Sequence, residues 1–140
     1  MVETYVRPGQ VLLVFRPVLN HGEQSLRTSE AAFCAAEQDQ FWAMHDTLFA
    51  RQSTVSATPV GDLPALLEAY AIELGMDVEA FRTCIASGEA LALVQELDAE
   101  QRQRGITVQP IFEINEQRLI GLPSFDVFQR VIEETLSQSP

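Results

Sequence analysis

The chain has 140 residues, and 9 basic against 20 acidic side chains give it a formal net charge of −11 at neutral pH. That excess of carboxylates argues against nucleic acid or an anionic membrane as a partner, because both would repel it. With 46% hydrophobic and 21% charged residues, the composition is that of a soluble folded domain rather than a disordered chain.

The first apolar run, at residues 11–15, lies between Pro8-Gly9 and Arg16-Pro17 and predicts a short strand covered on both faces. The period then changes. Leu26, Phe33, Ala36, Phe41, Met44, His45 and Leu48 recur at helical spacing, which predicts two helices or one bent near Asp39. Between Ser53 and Gly61 the Ser, Thr, Pro and Gly content predicts a loop. Asp62 reads as the N-cap of a helix carrying Leu63, Leu66, Leu67, Tyr70 and Leu74, with Gly75 as its stop. Asp77 and Gly88 bracket a second helix with Val78, Phe81 and Ile85 inward. A third carries Ala90, Leu93, Val94 and Leu97 and ends at Gly105, its Asp98 to Arg104 stretch reading as a solvated helix end. Two β-rich runs around Asn115-Glu116 predict a hairpin, and Ser124 starts a closing amphipathic helix with Phe125, Phe128, Val131, Ile132 and Leu136. Strand, helices, hairpin and helix together give an α/β layering.

At residues 29–49, an Ala-Ala-x-Cys-Ala-Ala-Glu-Gln run leads into Phe41-Trp42 and then His45-Asp46-x-Leu48-Phe49. Together with residues 78–88, this segment resembles the helical insert of DsbA-family proteins, thiol-disulfide oxidoreductases with a thioredoxin fold. Residues 105–121, followed by 125–136, are similar to that family's closing half, where a loop ending in a cis-proline leads into the last hairpin and helix. The resemblance implies a thioredoxin-like α/β fold in a single domain over residues 1–140. Its helical insert would cover about 24–104 and its closing hairpin and helix about 106–138.

The family's chemistry resides in a Cys-x-x-Cys pair at the start of a helix that follows the central strand. Both would lie upstream of residue 11, and Met1 to Val6 looks like the tail of that helix. The expectation is therefore a domain without its first strand and active-site helix start, with no catalytic residue, no disulfide exchange, and no cofactor or metal. Cys34 and Cys84, the two cysteines, are fifty positions apart inside predicted helices. Burial as unpaired structural cysteines is the reading the residues favour. A structural disulfide, which needs an oxidising compartment, comes next, and a reactive pair last.

Pro110 is the cis-proline that the resemblance implies. The backbone of Gln109, the residue before it, would pair with an extended substrate, although Gln replaces the small or β-branched residue more usual in the family. A tight turn that starts the hairpin is the plainer alternative. His45 reads as a packed, hydrogen-bonded residue, and His21 has no partner at metal spacing. A missing central strand leaves unpaired backbone groups, which predicts a homodimer or a protein partner covering the sheet. The family resemblance suggests an extracytoplasmic location, which the chain itself does not specify.

Overall fold

The computed structural model describes residues 1–138; the expected domain boundary at residue 140 lies outside them. A π-helical turn at Val2–Val6 opens the chain and buries Tyr5. Seven helices and one hairpin follow: α1 (Gly22–Ala36), α2 (Phe41–Ala50), α3 (Gln52–Ala57), α4 (Leu63–Glu73), α5 (Val78–Ser87), α6 (Glu89–Gln103), β1 (Ile111–Ile114), β2 (Gln117–Ile120) and α7 (Phe125–Gln138).

Helix α1 is the hub, packed against α2, α4, α5 and α6. Its inward face is made of Ala31, Ala32, Cys34 and Ala35, all buried. Such short side chains let several helices approach one axis closely. Larger groups on the neighbours fill the remaining space: Met44, Leu63, Leu67, Tyr70 and Phe81. Asp39, in the left-handed region at φ 59°, turns the chain between α1 and α2, so the two-helix alternative is the one formed.

Three expectations change here. The predicted loop after Ser53 contains α3. Val55 is buried there, and the Gln24 side-chain amide donates to the carbonyls of Val55, Ser56 and Thr58 at 3.2, 3.3 and 3.3 Å. A residue some thirty positions away thus caps the last turn, a signal absent from the local composition. Asp62 precedes α4 but its side chain makes no capping bond; it ends a 3-10 turn (Val60–Asp62) with helical φ and ψ of −96° and −11°, outside the extended geometry a cap uses. Asp77 does have that geometry, and its carboxylate accepts from the Ala80 N–H at 3.0 Å.

The third change concerns residues 11–15. They join no ladder, and the one sheet among the described residues is the β1–β2 hairpin. Side chains alternate along the run: Val11, Leu13 and Phe15 are partly covered, whereas Leu12 and Val14 are 86% and 53% exposed. The period of two is that of a strand, yet only one face is covered. Phe15 packs there against Phe41 and His45, ring centroids 5.4 and 5.3 Å apart. In the hairpin, Phe112 faces Leu119 and Glu113 faces Arg118. Asn115, at φ 50°, supplies the left-handed turn position. The hairpin rests on α7 through an edge-to-face contact between Phe112 and Phe128 at 4.7 Å.

Candidate functional site

Cys34 and Cys84 are bonded to each other, with S–S 2.00 Å and Cα–Cα 5.7 Å, which replaces the favoured reading of two unpaired cysteines. Cys34 lies in the last turn of α1 and Cys84 in the last turn of α5. A helix lowers a thiol pKa at its N-terminus, and neither sulfur is there. Both are buried in the helical core, at 0% and 5% exposure. The bond therefore staples α1 to α5 and is shielded from any attacking thiolate.

The Gln109–Pro110 peptide bond is cis, and both residues are exposed. The Pro110 carbonyl accepts from the Gly121 N–H at 2.9 Å, which closes the hairpin's far end. On the other side the loop is tied to residues 19–21. Asn20 donates from Nδ2 to the Thr107 carbonyl at 3.2 Å, and Gln109 Nε2 lies 3.2 Å from His21 Nε2. Asp98 and Arg102 anchor that segment in turn. The Leu19 N–H donates to Asp98 Oδ1 at 2.8 Å, Arg102 Nε donates to Asp98 Oδ2 at 2.7 Å, and a terminal Arg102 nitrogen donates to the Leu19 carbonyl at 3.2 Å. The stretch read as a solvated helix end is thus a structural anchor, and Gln101 within it is buried. Sequence reasoning missed this tether because its partners are some eighty positions apart.

Val108, Ile120 and Leu122, around the same loop, are 53%, 72% and 82% exposed. Among the described residues, the backbone groups of Val108 and Gln109 make no hydrogen bond. An extended peptide could satisfy such groups by adding a strand. Nearby in the hairpin, Glu113 accepts from Arg118 at 2.8 Å and Arg104 at 2.5 Å, and these guanidinium groups, Arg118 foremost, hold its carboxyl below the usual range. His45 sits amid Phe15, Phe41, Trp42 and Phe49, with Nδ1 2.9 Å from Asp46. No cluster of three or more His, Cys, Asp or Glu among the described residues is placed to hold a metal ion, and no helix among them is long and apolar enough to cross a membrane.

A thioredoxin family model matches residues 1–134. The chain belongs to the thioredoxin family. This match is compatible with the DsbA-like branch, and in this thioredoxin-family chain six helices precede a closing hairpin and helix. The chain is also similar to parts of larger proteins. It is 35% identical over 94 residues to Na(+)/H(+) antiporter NhaA 3 of Salinispora tropica, covering 66% of this chain and 13% of that protein. For Na(+)/H(+) antiporter NhaA of Herminiimonas arsenicoxydans the figures are 34% over 101 residues, 72% and 15%. For Na(+)/H(+) antiporter NhaA 1 of Salinispora arenicola they are 32% over 94 residues, 66% and 13%. The chain therefore spans 13–15% of the length of these relatives. No solved structure matches it.

Proposed function

We propose that this chain is a DsbA-like relative of the protein thiol-disulfide oxidoreductases that binds extended polypeptide and does not, as this polypeptide, exchange disulfides. The observation that carries the reading is the buried Cys34–Cys84 bond, which occupies both cysteine sulfurs of the chain away from solvent and from any helix start. Exchange needs in-line attack by a thiolate on an accessible sulfur. What the chain does present is Gln109 and Pro110 in an exposed loop with apolar neighbours and free backbone groups, suited to an added strand. The disulfide also favours an oxidising, extracytoplasmic setting. Insulin reduction with dithiothreitol is the test: the expected rate equals that without protein. Turnover that disappears in Cys34→Ser or Cys84→Ser would overturn the reading.

The open run at residues 11–15 supports a second reading, in which that edge pairs with a copy of itself or with another protein. Sedimentation at micromolar concentration separates the outcomes, a dimer supporting self-pairing and a monomer opposing it. The antiporter relatives suggest that a Na(+)/H(+) antiporter is the associated protein, and recovery of an antiporter with the tagged chain from its own cells would support that partner.

A further inference from the structure

Helix α2 presents Trp42, Asp46 and Phe49 at i, i+4 and i+7, so they share one face. Trp42 is 43% exposed, Phe49 62%, and the Asp46 side chain 79%. Both rings pack edgewise or tilted on His45, with centroids 5.2 and 4.7 Å away, which holds the stripe rigid. Phe41 links it to Phe33, with centroids 5.6 Å apart. Phe33 in turn lines a groove of about 370 Å³ with Leu93, Glu37 and Glu89. The result is one apolar, aromatic surface set with three carboxylates.

Charge decides what it fits. Among the described residues, Asp46 is paired with no arginine, only with the His45 ring, and neither Glu37 nor Glu89 is in an ion pair. Elsewhere seven of the nine arginines neutralise carboxylates, and the chain has no lysine. A second copy would bring the same acidic surface and a charge of −11, so self-association here is opposed. An anionic membrane is repelled for the same reason. Cations gain twice, from the carboxylates and from aromatic faces.

We propose that the α2 stripe and the adjoining groove dock an amphipathic helix of another protein, its apolar face on Trp42, Phe49, Phe33 and Leu93 and its arginines or lysines on Asp46, Glu37 and Glu89. Because Trp42 is the sole tryptophan, its emission reports occupancy directly. The probe is a synthetic leucine–arginine amphipathic helix, run beside the same peptide with glutamate in place of arginine. The arginine peptide should give a saturable shift in Trp42 emission and the glutamate peptide none. Neutralising the site by Glu37→Gln, Asp46→Asn and Glu89→Gln should weaken binding about tenfold or more. Neutralising Glu116, Asp126 and Glu134 on the hairpin and α7 should leave it within about twofold. Phe49→Ala, checked for fold by circular dichroism, should weaken it with no change in net charge. An equal loss in both triple variants, an equal response to the two peptides, unchanged binding by Phe49→Ala or no saturation would each overturn the proposal.

Discussion

The Tyr5 hydroxyl donates to a Glu133 carboxylate oxygen at 2.9 Å across 128 positions of sequence, which fastens the opening turn to the last helix. Tyr5→Phe keeps the ring and deletes the donor. Amides of the opening turn, such as Tyr5 and Arg7, should then exchange faster with deuterated solvent while those in α1 stay unchanged. Equal protection of the opening turn in both proteins would show that ring burial alone holds it.

The disulfide closes a loop with a sequence separation of 50. Restricting the unfolded chain over that length is worth about 4 kcal/mol in the chain-entropy model. Cys34→Ala with Cys84→Ala should therefore lower stability by about 2–5 kcal/mol, measured by urea unfolding. Added dithiothreitol should lower the midpoint of the parent and leave that of the double variant unchanged.

Two aspartates that look alike in sequence should behave differently. Asp77→Ala removes the capping bond to Ala80 and should cost about 1 kcal/mol. Asp62→Ala removes no capping bond and should fall within about 0.5 kcal/mol of the parent. Paired thermal melts decide, and equal losses would contradict the geometry.

Glu113 gives a pH dependence with a definite sign. Its folded pKa is depressed by Arg118 and Arg104, so its stabilising effect is complete above the unfolded value of about 4.3 and is lost as pH falls through the lower folded value. Glu113→Gln should be less stable than the parent by about 0.5–1 kcal/mol at neutral pH. The difference should shrink in acid as both carry a neutral side chain. A gap that persists or widens at low pH would reverse the assignment.

The helical half was largely legible in the sequence, because its signals are local. Leu63, Leu67 and Tyr70 mark a buried face by spacing, and Gly75 and Gly88 stop their helices in the left-handed conformation. Failures came where distant residues decide. Gln24 caps the last turn of Gln52–Ala57, and Asp98 and Arg102 hold Leu19. The apolar run at residues 11–15 has strand composition but no ladder neighbour, and composition cannot supply one. At the candidate site, the cis bond before Pro110 was an expectation of the family resemblance and not of local composition. The His21 contact to Gln109 was legible in neither, since 88 positions separate them.

The uncovered side of residues 11–15 affects how concentrated protein behaves. Leu12 and Val14 project from a backbone with no ladder partner, the kind of template that seeds aggregates. Mutual repulsion between molecules of charge −11 is the safeguard, and it fades towards the isoelectric point near pH 4.4. Acidifying a concentrated stock should turn it cloudy, and a single lysine at position 12 or 14 should keep it clear.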